Sequence, residues 1–352
     1  MVSLAFVICM LASLAITPLV KKLAVAVGAV DKPNYRKVHE SIMPRMGGLA
    51  IFISFMLGLL VLQPQSPFNL AIVIGGVIII VTGVLDDRFE LSAKVKLGGQ
   101  LLAALVVVLY GGIKMEFITL PFGGVMEFGF LSIPLTIIWI VGITNAINLI
   151  DGLDGLAAGV SSIALLTISL MAYMKGDIYV MSMALLVLGS TLGFLHYNFH
   201  PAKIFMGDTG ALFLGYIIAV LSLLGFKNVT VISLIIPVII LGVPISDTLF
   251  AIIRRKVNKQ PLSAPDKSHL HHCLLRRGYT HKQTVFLIYA IASMFGLAAI
   301  IFSMATIWGA FIIIAVLVIA IELFVESIGL VSVNYKPLLN FMRIRIKKEL
   351  NR

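Results

Sequence analysis

The sequence predicts an all-α polytopic membrane protein with about eleven transmembrane helices, and three observations carry this. Hydrophobic residues make up 60% of the 352 residues and Asp, Glu, Lys and Arg together only 12%. A soluble domain carries roughly 25% charged residues, so there is too little charge here to coat a water-exposed surface. Uncharged runs close to the ~20 residues needed to cross hydrocarbon recur along the chain. Finally, Lys and Arg gather in alternate connections between those runs.

Residues 1–20 form the first run, closed by Lys21 and Lys22. No basic residue precedes it, so it is expected to stay as a first helix with its start outside rather than act as a cleaved signal. The stretch 46–85 is uncharged and is divided in two by Gln63-Pro64-Gln65-Ser66-Pro67-Phe68-Asn69. Further spans are expected over 97–113, 128–150, 155–174, 178–195, 209–226 and 228–246, the last running on to Ile253 past Asp247. The stretch 283–321 is too long for one crossing and splits near Thr306, its second half reaching about Leu330. Between the fourth and fifth spans, 115–121 and 125–128 flank Phe122-Gly123-Gly124 and predict a small extracellular β-hairpin near 115–131.

Assigning alternate connections to one side gives 24 of the Lys and Arg residues and all seven His to that side, and only Lys114, Lys175 and Lys227 to the other. The basic side is expected to be cytoplasmic, which puts the N-terminus outside and the C-terminus inside. The net charge of +11 then reflects orientation and contact with anionic lipid, not a nucleic-acid footprint. Residues 1–330 read as a single integral domain and 331–352 as a basic cytoplasmic tail. No internal repeat is visible, which argues against an inverted-repeat transporter. Cys9 falls in a span and Cys273 in a cytoplasmic loop, so no disulfide is expected.

Five cytoplasmic connections carry more polar chemistry than a turn requires. Asp86-Asp87 ends the third span. Two adjacent carboxylates suit Mg²⁺, which takes one or two carboxylates with water and phosphate oxygens; a solvated loop paired with Arg88, Lys94 or Lys96 is the plain alternative. Asn145, Asn148, Asp151 and Asp154 recur at every third position. Capping of the helix that starts near Leu156 would account for one of the acids but not for all four polar residues. Phe205-Met206-Gly207-Asp208-Thr209-Gly210 opens the eighth span. Its helix start, like that of the sixth, favours phosphate. Asp208 there is either a cap or a ligand to a phosphate-bridging metal, and Phe205 either stacks on a base or packs against lipid. His269, His271 and His272 form a His-x-His-His cluster beside Arg276, Arg277 and Lys282. Without a Cys pair this fits contact with phosphate or sugar better than structural zinc. Pro44-Arg45-Met46-Gly47-Gly48 opens the second span. Its glycines permit close backbone approach, and Lys37, His39 and Arg45 are candidates for phosphate contact or simply serve orientation. Together these loops suit Mg²⁺-assisted chemistry on phosphates at a lipid interface.

In order and on one face, these five motifs resemble the polyprenyl-phosphate N-acetylhexosamine-1-phosphate transferases, over residues 10 to 330. The His-x-His-His form followed by Leu274-Leu275-Arg276-Arg277-Gly278 is similar to the GlcNAc-type branch that initiates wall teichoic acid synthesis. The resemblance implies a bacterial cell-membrane enzyme with its active site on the cytoplasmic face, dependent on Mg²⁺ (or Mn²⁺), and a homodimer. It implies Asp208 as the direct metal ligand, with Asp86, Asp87 and Asp151 beside the metal and one of the paired acids taking a proton. It implies Lys96 and His271 as further catalytic residues, and Arg45 and Lys37 on the lipid phosphate. The nucleotide-sugar site would be lined by Asn145, Asn148, Asp151, Asp154, Phe205, His269 and His272. Asp247, after Pro244, also fits a family pattern, with an ion pair to Arg254 as the alternative reading.

The reaction so implied is transfer of GlcNAc-1-phosphate from UDP-GlcNAc to undecaprenyl phosphate with release of UMP. The same chemistry on another UDP-amino sugar such as UDP-MurNAc-pentapeptide is the near alternative. An ion-coupled transporter is the distant one, because transport acids sit near the bilayer midplane whereas these sit at helix ends. A non-catalytic lipid-binding scaffold would not need paired and helix-start acids on separate loops.

Overall fold

The computed structural model describes residues 1–31, 42–119, 124–226, 231–257, 259, 261, 268–330 and 335–341. Helix α1 (Val2–Val27) leads through a two-residue antiparallel pairing of β1 (Val30–Asp31) with β2 (Met43–Pro44) into α2 (Gly47–Leu62) and α3 (Asn69–Phe89). Helix α4 (Ala93–Leu105) continues into one wide π turn over Val106–Tyr110. Next, β3 (Phe117–Thr119) pairs antiparallel with β4 (Val125–Glu127). Helices α5 (Ser132–Ile150), α6 (Leu156–Met174), α7 (Ile178–Asn198) and α8 (Gly207–Phe226) follow. The remainder is α9 (Val231–Ile240), α10 (Gly242–Val257), the short α11 (Leu270–Arg276), α12 (His281–Met304) and α13 (Ile307–Ile328).

Among the described residues nine helices are long and apolar enough to cross a membrane, so the chain is a helical polytopic membrane protein. Helix α2 is apolar but only 16 residues long. The span expected over 228–253 is instead broken into α9 and α10 at Leu241. The reason is local: Pro237 and Pro244 each lack a backbone donor for the helix ladder, and Gly242 between them adds no helix propensity. The break leaves a polar α10 that carries a buried Asp247 and Arg254.

Helix α8 is the axis of the bundle. Its apolar side chains from Ala211 to Leu221 are buried almost without exception, and α2, α3, α5 and α6 pack around it. In lipid, where hydrophobicity does not drive helices together, close packing does, and here glycines provide it. A Cβ on Gly48 of α2 would lie 2.0 Å from Gly210 of α8, and one on Gly83 of α3 would lie 2.4 Å from Thr209. Gly75 receives Tyr216 and Gly215 receives Thr144 in the same way. The C-terminal ends of α3 and α5 are thereby drawn to the N-terminal start of α8, which is where the polar motifs lie.

Candidate active site

The start of α8 is held from two sides. Phe205 N–H donates to Pro44 O at 2.8 Å, while Gly47 and Gly48 N–H donate to Phe205 O and Met206 O at 3.1 and 3.0 Å. The segment 44–48 and the segment 205–208 are therefore one backbone unit. From below, Asp87 at the end of α3 accepts from Asp208 N–H (3.0 Å), Thr209 N–H (3.1 Å) and the Thr209 hydroxyl (2.6 Å). Asp87 thus caps α8 from another helix, satisfying donors that a helix start leaves unpaired. Gly207 has φ +71°, and a Cβ there would lie 2.3 Å from the Asp87 carboxylate, so glycine is required by both backbone and space.

Asp208 then projects from the first turn of α8. Its carboxylate accepts from Lys96 Nζ at 2.6 Å and from Asn148 Nδ2 at 2.9 Å. Lys96 also reaches Asp86 at 3.2 Å. That reach depends on a tight turn between α3 and α4, where Glu90 adopts φ +52° and donates back to Asp86 O. Asp86 and Asp87 are both buried and their side chains part: Asp86 toward Lys96, Asp87 toward the α8 backbone.

These groups line a cavity of about 690 Å³ together with Asp31, Arg45, Asp151, Asp154, His200, Phe205, His272 and His281. Arg45 is tied to the buried Asp31 at 2.6 Å. Beside the cavity, Leu23, Val27, Met46, Leu49, Val84, Leu85 and Phe89 line an apolar groove, and Arg88 stands in its wall. Lys37 lies outside the described residues.

Asp151 lies in the turn between α5 and α6. Burial, then the negative charges of Asp208, Asp87 and Asp154, push its carboxyl up to about 8, with Arg45 opposing. Asp151 therefore stands among acidic neighbours whose charge a bound cation would offset. An all-oxygen donor set of Asp208, Asp86 and Asp151 fits a hard divalent cation such as Mg²⁺ or Mn²⁺. The three do not close into a tight cage, and Mg²⁺ does not require one, since waters and substrate phosphates complete its octahedron. Asp87 fits less well as a ligand, because both of its oxygens serve the α8 backbone and Thr209.

Several candidate residues do work other than that expected. Asn145 Nδ2 donates to Gln100 Oε1 at 2.6 Å and to Val141 O at 2.8 Å, bracing α5 against α4 away from the cavity wall. Asp154 does not cap α6, whose cap position is Gly155 at φ +77° with no side-chain bond; it accepts from Ala202 N–H at 3.1 Å and meets His200 Nδ1 at 2.8 Å. Asp247 does not pair with Arg254. Its carboxylate meets His269 Nδ1 at 2.8 Å and accepts from Leu270 N–H at 2.7 Å, while Arg254 donates to Leu330 O. Both His269 and Asp247 are buried, so His269 secures the start of α11. His271 is buried against Gly152, its Nε2 without a hydrogen-bond partner among the described residues, and burial pushes its pKa down to about 3. Of the three histidines, His272 lines the cavity. Sequence reasoning passed over Asn198, which accepts from Gly155 N–H and donates to Ile204 O, and over His200 and His281. His200 stood one residue before the Pro-Ala-Lys run that leads into the Phe205 motif; His281 carried no signal beyond its place in a basic loop.

Comparison with known proteins matches this sequence to a family. The profile described as glycosyl transferase family 4 matches residues 69–226, the segment holding Asp86, Asp87, Lys96, Asn148, Asp151 and Asp208. The chain is 54% identical, over 98% of its length and 97% of the relative's, to a probable undecaprenyl-phosphate N-acetylglucosaminyl 1-phosphate transferase of Bacillus subtilis (strain 168). The chain belongs to glycosyl transferase family 4. Within the family it is 37% identical to a decaprenyl-phosphate N-acetylglucosaminephosphotransferase of Mycolicibacterium smegmatis, over 86% of this chain and 84% of that one. It is 30% identical to the undecaprenyl-phosphate alpha-N-acetylglucosaminyl 1-phosphate transferase of Escherichia coli (strain K12), over 78% of this chain and 76% of that one.

Proposed function

We propose that this chain transfers GlcNAc-1-phosphate from UDP-GlcNAc to undecaprenyl phosphate, giving undecaprenyl-diphosphate-GlcNAc and UMP, on the cytoplasmic face of a bacterial membrane. The step would open wall teichoic acid or related envelope polysaccharide synthesis. One observation carries the reading: Asp208 is held between Lys96 and Asn148 at a helix start, facing a polar cavity, in a chain 54% identical to a transferase named for that reaction.

An oxygen of the carrier phosphate attacks the sugar-bearing phosphorus of the donor, and the bond from that phosphorus to the bridging oxygen of UMP breaks. One phosphoanhydride is lost and one is made. The second pKa of a phosphate monoester is near 6, so the acceptor is largely dianionic at neutral pH and direct attack needs no strong base. One of the paired acids, Asp86, would take the residual proton from a monoanionic acceptor. Lys96 fixes the relative position of Asp86 and Asp208 and offers positive charge to the phosphates. Asp208, Asp86 and Asp151 would hold Mg²⁺, which supplies charge neutralisation at the phosphoryl oxygens when bound. Phe205 on the cavity wall offers a face to uracil. The apolar lining of the groove beside Arg88 would suit the isoprenoid chain.

The test is UMP release by the purified protein with Mg²⁺, UDP-GlcNAc and a polyprenyl phosphate, run against UDP-MurNAc-pentapeptide and other UDP-amino sugars. GlcNAc is expected to be preferred. No UMP from any of these donors would defeat the enzyme reading, and preference for another sugar would correct the substrate.

A further inference from the structure

A second cluster on the cavity wall has a different chemistry from the carboxylates. Asp154, His200 and His281 each present one ligand atom within 4.8 Å of the others. They come from three separate places: the turn before α6, the loop after α7 and the first residue of α12. They also contact one another directly. His200 Nδ1 meets Asp154 at 2.8 Å, and His281 hydrogen-bonds the Asp154 backbone. The two imidazoles stack at 4.1 Å, and Nε2 of His281 is buried with no hydrogen-bond partner among the described residues. A buried imidazole nitrogen without a partner is costly, and a cation would satisfy it.

We infer that Asp154, His200 and His281 form a transition-metal site for a Zn²⁺-class ion, separate from the carboxylate cluster around Asp208. Two imidazole nitrogens with one carboxylate make a donor set that Zn²⁺ accepts, whereas Mg²⁺ takes oxygen donors. Tetrahedral ligation with bonds near 2.0–2.1 Å needs donor atoms about 3.3 Å apart, which side-chain rotation over about an ångström supplies here. All three residues line the cavity, so a fourth coordination position would open into it. The inference stands whether or not the transferase reading does.

The test is Co²⁺ titration of the purified full chain in detergent with millimolar Mg²⁺ present, read as visible ligand-field absorption, with Zn²⁺ competition to set affinity. One equivalent should bind. His200→Ala and His281→Gln should each weaken binding by at least about tenfold while remaining monodisperse. Asp208→Asn and His272→Gln should retain it. Two variants at separate loops guard against one of them failing to fold. Absence of the absorption in the parent chain overturns the inference. So does unchanged binding in both His200→Ala and His281→Gln, or loss confined to Asp208→Asn or His272→Gln.

Discussion

Asp87 offers the sharpest test of how the site is built. Its neighbour in sequence, Asp86, faces Lys96, whereas Asp87 receives two backbone N–H groups and one hydroxyl of α8. Asp87→Asn keeps the size and one carbonyl acceptor but turns the other end into a donor facing a donor. At least one buried N–H loses its partner, at about 1–3 kcal/mol, and a negative charge leaves the helix start, at about 0.3–2 kcal/mol. The sum is about 1–5 kcal/mol of lost stability, concentrated on the turn that aims Asp208. The expected outcome is a lowered thermal midpoint in detergent and a reduced kcat for UMP release, with the Mg²⁺ concentration for half-maximal rate near that of the parent chain. Asp208→Asn leaves the Asp87 cap on α8 in place and should abolish turnover. An Asp87→Asn protein with the parent's thermal midpoint and a strongly raised Mg²⁺ requirement would refute the capping argument and make Asp87 a ligand.

Gly48→Ala sets a Cβ 2.0 Å from the Gly210 backbone, where neither backbone can yield; overpacking of about 1–3 kcal/mol or more should show as loss of monodisperse protein on size exclusion. Asn145→Ala should destabilise by about 1–3 kcal/mol through the stranded Gln100 amide and leave the KM for the donor in place, which donor-dependent rates would check. For His271, the folded value of about 3 lies below its ordinary 6.5. The unfolded chain therefore binds the proton first, and stability present above pH 6.5 is lost as pH falls toward 3. Between pH 7 and 5 the loss is about 2 kcal/mol, and His271→Gln should flatten that part of the thermal-midpoint profile.

Much of the bundle was legible because lipid imposes a length rule that a sequence displays directly. The turn 63–69 separates α2 from α3, and Thr306 sits at the junction of α12 and α13, capping the latter. The break at Leu241 escaped, since hydropathy continues through it and only the two prolines and Gly242 oppose a straight helix. At the site, residue type signalled chemistry but not direction. Asp86 and Asp87 are identical in sequence terms, yet one faces Lys96 and the other α8, a choice made by helix phase and by which partner stands at each side. The Gly47-Gly48 pair announced a close approach; that the partner would be Gly210 depends on a contact across more than 160 positions, which spacing does not encode. Asp247 was obscure for the same reason, its partner His269 being carried in by a separate loop.

The arrangement around Asp154 explains why this cavity needs so many loops. The Asp208 side offers only oxygen donors, with Lys96 as its cation, and suits groups exchanged between phosphates. The His200 and His281 side offers nitrogen donors anchored on Asp154. Asp151 and Asp154 lie three residues apart in one turn, so a single connection between α5 and α6 contributes to both halves. That turn is itself pinned by Asn198, Tyr289 and His271, which bond Gly155 or pack on Gly152. Movement of α12 or α11 would therefore be felt at Asp151 before it reached Asp208. The histidine-bearing loops accordingly act as supports for the acidic turn, and their substitution should alter the geometry of the oxygen cluster even where no histidine touches a phosphate.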